Sequence, residues 1–184
     1  GTISTNMPVK NIAVSESGIV AAILEDGSTT WIYVYDTKGN VLVYSKTKMS
    51  NSGYPVEVAL SPDATLMAVS YLYIDSGAMR SSVGFYNFGE VGQNELHNYV
   101  SGYNYTDSIV PYVKFLNDEV AVAVADDRIM FYGGGQKPAV IGETLLSQEI
   151  LSIYQSGEYV GLVFENTEGE SKYYMDLYNM EGEK

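Results

Sequence analysis

Apolar and polar residues alternate in short stretches along the whole chain. Val56-Glu57-Val58-Ala59-Leu60 is typical, and Val, Ile, Tyr and Thr are frequent in these stretches. A period of two residues with β-branched and aromatic side chains predicts half-buried β-strands. Helical periodicity is nearly absent, with room for one helical turn at most in Gly142–Ile150. The pattern therefore predicts an all-β protein.

A bulky residue, a Tyr and a turn residue follow one another at four places, which indicates an internal repeat. The tyrosines of these copies are 51, 46 and 46 residues apart. The four copies are Val34-Tyr35-Asp36, Phe85-Tyr86-Asn87, Phe131-Tyr132-Gly133 and Leu177-Tyr178-Asn179. Two of them continue into matching turns, Asp36–Asn40 and Asn179–Glu183, each with Gly in its fourth place. Both turns predict a hairpin loop in which a type I turn is closed by a left-handed Gly.

A second repeated segment lies upstream of each apolar run, and its first two copies are Ala13–Gly18 and Ala59–Ala64. Within the runs that follow, Ala22, Ala68 and Gly161 fall in one column of the alignment, which predicts equivalent positions on buried strands. Each unit of about 47 residues has room for four short strands joined by hairpin turns, as in the blades of radial β-sheet arrays.

The predicted strands divide the chain into four such blades. They cover 9–14, 19–25, 30–36 and 41–46; 55–60, 65–73, 81–87 and 95–100; 110–115, 119–125, 128–132 and 138–141; and 150–154, 159–165 and 171–178. The prediction is a single domain, 1–184, with blades at 9–46, 55–100, 110–141 and 150–184.

Two motifs resemble those of known propeller families. Leu60-Ser61-Pro62-Asp63, followed by an apolar strand, is similar to the blade opening of WD-repeat-like proteins. Val34–Leu42 resembles the hairpin between the third and fourth strands of WD-like and quinoprotein-like β-propellers. The Trp-Asp ending and Gly-His opening of true WD repeats are missing. The resemblance implies a β-propeller-like array of four antiparallel blades, of the kind found in uncharacterised exported bacterial proteins.

The fourth blade lacks an outer strand in the sequence, because Lys184 directly follows the last turn. An unpaired strand edge is a liability that natural proteins avoid. Residues Gly1–Met7 could pair there and close a four-bladed ring, as the resemblance to strap-closed propellers suggests; we favour this arrangement because Thr2-Ile3-Ser4-Thr5 contains β-branched residues. Alternatively, two copies form an eight-bladed ring, or the chain is part of a longer propeller.

Composition excludes several classes of function. The chain has 10 Lys and Arg against 23 Asp and Glu, a net charge of −13, one His and no Cys. The negative charge argues against nucleic acid as a partner, and no apolar run is long enough to span a membrane. Without Cys there are no disulfides or thiolate ligands. We therefore expect no cofactor and no metal.

Acidic residues occur in the loop between the second and third strands of all four units. Asp26, Asp75, Asp126, Asp127 and Glu168 are the candidate binding residues of these loops. In propeller families such loops share one face with the connections between blades, and that face usually binds. A ring of carboxylates there would attract a cation or a basic segment, whereas the simpler interpretation is that these residues satisfy hairpin geometry.

The long connection Glu90–Ile109 is a second candidate. Its tip contains Tyr103 and Tyr105 among Gly, Asn and Thr, a composition suited to adaptable contact surfaces. His97 falls on a predicted outer strand with no nucleophile and acid assigned to it, so we interpret it as an exposed strand residue.

The leading functional hypothesis is a non-enzymatic module that recognises a protein, a peptide or a glycan, with a homodimer as one possible assembly. The alternative is a propeller glycan hydrolase with paired carboxylates in the central pocket, since such carboxylates converge in space rather than in sequence. The chain begins Gly1-Thr2 without Met. We therefore expect a trimmed polypeptide from an extracellular or cell-surface protein.

Overall fold

A computed structural model describes residues 1–47, 53–87 and 99–184, and all regular structure in these ranges is β-strand. Blade 1 consists of β1 (Val9–Val14), β2 (Val20–Asp26), β3 (Thr29–Tyr35) and β4 (Val41–Thr47). Blade 2 consists of β5 (Tyr54–Leu60), β6 (Leu66–Asp75), β7 (Ala78–Asn87) and β8 (Tyr99–Tyr105). Blade 3 consists of β9 (Tyr112–Phe115), β10 (Ala121–Val124), β11 (Arg128–Gly133) and β12 (Ala139–Leu145). Blade 4 consists of β13 (Ser152–Ser156), β14 (Tyr159–Glu165) and β15 (Tyr173–Tyr178).

Each blade is an antiparallel sheet whose strands pair in chain order. This confirms the predicted all-β class with four antiparallel blades. Most predicted strands agree with the observed ones to within two residues. The main differences lie in the outer strands: β8 runs to Tyr105, beyond the predicted end at residue 100, and β12 runs to Leu145 through part of the segment where a helical turn was predicted. Residues 95–98 of the predicted outer strand of blade 2 lie outside the described residues.

The two matched hairpin turns share the same hydrogen bonds from their backbone N–H groups, which confirms the turn prediction. In the first, the backbone N–H groups of Lys38 and Asn40 donate to Asp36 Oδ1 at 2.9 and 2.8 Å. In the second, the N–H groups of Glu181 and Glu183 donate to Asn179 Oδ1 at 3.1 and 2.9 Å. Gly39 and Gly182 have φ of +85° and +80°, the left-handed conformation that Gly adopts without steric cost.

Neighbouring blades pack face to face, and each junction contains its own apolar core. We call the two faces of a blade its preceding face and its following face, according to the neighbour in chain order. Blades 1 and 2 enclose a cluster that includes Ile23, Ile32, Val58 and Val69. Blades 2 and 3 enclose Phe85, Val113 and Tyr132, among others, and blades 3 and 4 enclose Phe131, Leu162 and Tyr178, among others.

Hydrogen bonds link the inner strands of successive blades. In each, a side-chain oxygen of one inner strand accepts from a backbone N–H of the inner strand in the next blade. Asn11 Oδ1 accepts from the N–H of Val58 at 3.1 Å, and Glu57 Oε2 accepts from the N–H of Val113 at 3.2 Å. Asn11 and Glu57 each follow a register shift in their strand, between Val9 and Asn11 and between Pro55 and Glu57. Because a bulge re-aims side chains, these irregularities direct Asn11 and Glu57 across the junction.

The first and last blades do not close on one another through the predicted strap. Residues 1–7 belong to no strand, and β13, β14 and β15 form a three-stranded sheet. The prediction that Gly1–Met7 pair with the last strand is therefore wrong. Ile3 and Met7 instead pack on Ala22, Leu24 and Tyr35 of blade 1. Burying their side chains on this nearby face removes apolar area from water without the chain having to cross to blade 4.

Candidate binding cleft between blades 3 and 4

A cleft of about 500 Å³ opens at the junction of blades 3 and 4. Its walls are the start of β9, the end of β10 and the connection that leads into β13. The lining residues are Pro111, Tyr112, Val124, Ala125, Asp126, Glu149, Ile150, Leu151, Ser152 and Ile153. The volume lies within the range of small-molecule and peptide side-chain pockets.

The interior of the cleft is apolar and its polar groups lie at the edge. Val124 and Ala125 are buried, whereas Leu151 is 49% exposed and offers its side chain to a ligand. Glu149 and Asp126 are both exposed. The Asp126 carboxylate accepts from the N–H of Ile109 at 3.0 Å, which fixes its position. The cleft thus combines an apolar floor with two negative charges, an arrangement that suits an apolar group beside a cation.

Tyr112 also lines the same cleft. Burial, together with the nearby Glu57 carboxylate, raises the pKa of Tyr112 to about 12, so the hydroxyl stays protonated and can donate at neutral pH. Lys114 Nζ lies 5.9 Å from the centre of the Tyr112 ring.

The other predicted acidic residues lie at the same end of the blades but have separate surroundings. Asp75 Oδ2 lies 3.6 Å from Arg80 Nε, and Asp127 Oδ1 lies 2.9 Å from Arg128 Nε. The hydrogen bond from Arg128 lowers the pKa of Asp127. The carboxylates of Asp75 and Asp127 form ion pairs with neighbouring arginines. Asp26 and Glu168 are exposed. Within residues 1–47, 53–87 and 99–184, no group of three or more His, Cys, Asp or Glu is placed to hold a metal ion.

Tyr103 and Tyr105 are not at the tip of a loop. They belong to β8, the outer strand of blade 2, so the predicted contact loop is wrong at these residues. Tyr105 is 1% exposed and its hydroxyl is hydrogen-bonded to that of Tyr132. Tyr103 packs against the same core and its ring centre lies 5.0 Å from that of Tyr105. The apolar part of a tyrosine contributes to a core when its hydroxyl finds a partner. His97 and the first part of the Glu90–Ile109 connection lie outside the described residues.

Glu149, Ile150 and Leu151 are cleft residues that the sequence analysis missed. An acid followed by two apolar residues directly before an inner strand was the available signal. The sequence pattern instead places Glu149 in a segment with room for one helical turn, and Leu151 in the predicted strand 150–154. The cleft also depends on contact between two blades, which no local pattern describes.

Buried tyrosine hydroxyl pairs predict a loss of stability at alkaline pH. Desolvation raises the pKa of Tyr71, Tyr105 and Tyr132 above the ordinary value near 10. In the unfolded chain these groups ionise near pH 10, so above that pH the unfolded state binds fewer protons and the free energy of unfolding falls. Each buried tyrosine contributes about 1.4 kcal/mol per pH unit until its folded pKa is reached.

Urea denaturation between pH 8 and pH 11.5, with tyrosinate absorbance followed in parallel, measures this slope. Tyr71→Phe removes one of the titrating groups and is expected to make the slope shallower. A free energy of unfolding that is constant up to pH 11 would contradict the buried pairs.

A protein-family model described as a family of unknown function, DUF5711, matches residues 1–184. The chain belongs to this family. No curated protein matches the sequence. No helix in the three described segments is long and apolar enough to cross a membrane.

Solved structures with a similar fold are β-propellers. A protein from Lactobacillus plantarum is 15% identical with a TM-score of 0.59, over 90% of this chain and 51% of its own. KlAtg21, solved in complex with the coiled coil of AgAtg16, is 15% identical with a TM-score of 0.55, over 83% of this chain and 48% of its own. TolB from Acinetobacter baumannii is 15% identical with a TM-score of 0.51, over 97% of this chain and 42% of its own. At this identity the likeness concerns the fold, and the DUF5711 chain spans about half the length of these proteins.

Proposed function

We propose that this DUF5711 chain is a non-enzymatic interaction module whose cleft between blades 3 and 4 binds a peptide segment of a partner protein. The recognised feature is an apolar side chain next to a Lys or Arg. The observation that carries the proposal is the cleft itself, with Leu151 exposed inside it and the carboxylates of Asp126 and Glu149 at its edge. The net charge of −13 adds long-range attraction for a basic segment.

The fold supports a protein partner more than a glycan. KlAtg21, which is similar in fold, was solved with a coiled coil bound. The cleft contains one aromatic side chain, Tyr112, rather than the flat aromatic platform on which a sugar ring would stack. An extracellular or cell-surface location remains a prediction from the sequence.

The glycan hydrolase alternative requires paired carboxylates in a central pocket. Among the described residues Glu57 is the one buried acid, and both of its oxygens are engaged, one at 2.9 Å from Lys114 Nζ and the other with the N–H of Val113. The cavity of about 310 Å³ at the other end of the inner strands includes one acid, Glu16, among its described lining residues. No specific observation therefore favours this alternative.

A phage-displayed library of random 12-residue peptides, selected against the protein, tests the proposal. We expect enrichment of peptides in which an apolar residue is adjacent to Lys or Arg. Glu149→Lys places a positive charge at the edge of the cleft and Leu151→Asp places a charge on its floor. Each is expected to weaken an enriched peptide at least about tenfold, or 1.4 kcal/mol.

Two control variants change the same residue types elsewhere. Glu119→Lys alters an exposed acid at the opposite end of blade 3, and Leu145→Asp alters an apolar residue that is 70% exposed on β12. Both are expected to bind the enriched peptides as the wild type does. Absence of enrichment, or equal binding by the cleft variants and the control variants, would refute the cleft as the binding site.

A further inference from the structure

One wall of the cleft is the connection between β12 and β13, which contains no strand of its own. Both of its ends are fixed by backbone hydrogen bonds. The N–H of Leu146 donates to the carbonyl oxygen of Asp127 at 2.7 Å, which joins the start of the connection to the hairpin loop of blade 3. The N–H of Leu151 donates to the carbonyl oxygen of Val163 at 2.8 Å, which joins its end to β14. Residues 147–150, between these two bonds, make no backbone–backbone hydrogen bond within the described part of the chain.

A side chain of blade 4 holds the middle of the connection instead. The chain bends at Gln148, and the Tyr174 hydroxyl donates to Gln148 Oε1 at 3.1 Å. The Tyr174 ring stacks on Phe164, with 5.3 Å between the ring centres and 26° between the ring planes. Phe164 is 2% exposed and belongs to the core between blades 3 and 4, so Tyr174 lies on the preceding face of blade 4. Because its ring rests on this core, the hydroxyl has a fixed position from which to hold the bend.

Glu149, which follows the bend, depends on this support for its position. Its side chain is exposed, and its carboxylate makes neither an ion pair nor a hydrogen bond with any residue in the described ranges. Asp126, the other acid of the cleft, differs because its carboxylate accepts from the N–H of Ile109 at 3.0 Å. The place of the Asp126 carboxylate is therefore set by its own hydrogen bond, whereas that of Glu149 is set by the backbone next to Gln148.

We propose that Tyr174 is a positioning residue of the cleft: through Gln148 it keeps Glu149 at the cleft edge, and the preference for Lys or Arg in the bound peptide depends on it. This inference rests on the proposed function and extends it to a side chain that does not line the cleft. A charged group that is already in place loses less conformational freedom when a ligand binds, so preorganisation raises affinity without adding a contact. Leu151 is fixed by its own backbone bond, so the Tyr174 hydroxyl affects recognition of the basic residue and leaves that of the apolar residue unchanged.

Tyr174→Phe removes this hydroxyl and keeps the ring that stacks on Phe164. With a peptide enriched from the library, fluorescence anisotropy is expected to show binding at least about threefold weaker than that of the wild type. When the Lys or Arg of that peptide is replaced by norleucine, the variant and the wild type are expected to bind it equally. Tyr173→Phe, at a residue 60% exposed on the other face of the same strand, is the matched control and is expected to bind both peptides as the wild type does. A Tyr174→Phe variant that binds the basic peptide with wild-type affinity, or that loses affinity equally for both peptides, would overturn the proposal.

A double-mutant cycle shows whether Tyr174 acts through Glu149. Glu149→Gln removes the charge and keeps the size of the side chain. Adding Tyr174→Phe to Glu149→Gln is expected to weaken binding of the basic peptide no further, whereas two independent effects would multiply and would contradict the proposal. If Glu149→Lys weakens the peptide and Tyr174→Phe does not, the cleft stands and the role of Tyr174 is refuted. If neither variant weakens it, the cleft itself is refuted.

The support of the connection can be measured without any peptide. The chain has no Cys, so a nitroxide attached at Ser147→Cys, an exposed position beside the bend, reports the mobility of the connection in its electron paramagnetic resonance spectrum. Tyr174→Phe is expected to sharpen the spectral lines of this label, and Tyr173→Phe is expected to leave them unchanged. Identical spectra with and without Tyr174→Phe would show that Tyr174 does not hold the connection, and would overturn the proposal even if the library had enriched no peptide.

Discussion

Phe85→Ala is expected to lower the free energy of unfolding by about 3 to 5 kcal/mol. Phe85 is 0% exposed in the core between blades 2 and 3. Its ring centre lies 6.3 Å from that of Phe115 and 5.1 Å from that of Tyr132. The Phe85 side chain also faces Ala68 across the sheet, and an alanine cannot expand into the space that the ring leaves.

Urea denaturation followed by intrinsic fluorescence measures this loss. Leu145→Ala also shortens a large apolar side chain, but Leu145 is 70% exposed, so a change within about 0.5 kcal/mol is expected. A loss below about 1 kcal/mol for Phe85→Ala would show that blades 2 and 3 do not pack as described.

Glu57→Gln is expected to cost about 2 to 3 kcal/mol. Glu57 is 9% exposed, its Oε1 lies 2.9 Å from Lys114 Nζ, and its Oε2 accepts from the N–H of Val113. Gln has the same shape and keeps an acceptor for the backbone, but it leaves the ammonium of Lys114 without its negative partner. Breaking a buried ion pair on one side costs about 3 to 5 kcal/mol, and the partial exposure of Lys114 reduces this figure.

A second substitution separates the charge effect from packing. In Glu57→Gln/Lys114→Met the unpaired ammonium is gone, so part of the lost stability is expected to return. Glu119→Gln, an exposed acid in the turn before β10, serves as the matched control with no expected change. If Glu57→Gln has the same urea midpoint of unfolding as the wild type, the ion pair between blades 2 and 3 does not stabilise the protein.

Much of the blade architecture follows from local sequence. Alternation predicts the strands, and Asp36 and Asn179 with Gly39 and Gly182 predict two turns that the structure confirms bond by bond. These features depend on residues a few positions apart, whose conformations are set by short-range sterics and hydrogen bonds.

The direction in which a buried side chain points was harder to predict. The alignment places Ala22, Ala68 and Gly161 in one position, but Ala68 faces blade 3 whereas Ala22 lies beneath Ile3 and Met7 on the other face of its blade. A shift of one residue along a strand moves each side chain to the other face of the sheet. Hairpin turns of different length produce such shifts between blades.

The candidate site depends on contacts between blades and so could be predicted only in part. Asp126 was predicted because acidic residues occur in the loops between second and third strands. Glu149 and Leu151 lie directly before β13, and local sequence does not show that this segment faces blade 3. Tyr105 was assigned to a loop because its strand is rich in Gly, Asn and Ser. Tyr105 is buried in a core that includes Tyr132, which lies 27 residues further along the chain and whose hydroxyl is hydrogen-bonded to that of Tyr105.

The account rests on an arc of four blades whose first and last faces are open within one chain, and electron paramagnetic resonance tests this most directly. Nitroxides are attached at Tyr44→Cys on blade 1 and Met175→Cys on blade 4, and the doubly labelled protein is diluted with excess unlabelled protein so that only pairs within one chain are observed. Packed sheets lie about 10 Å apart. An open arc predicts no dipolar broadening of the spectrum, because none of the apolar clusters of the described residues joins blade 1 to blade 4. Strong broadening would show that blades 1 and 4 meet in a closed four-bladed ring, and would contradict the account.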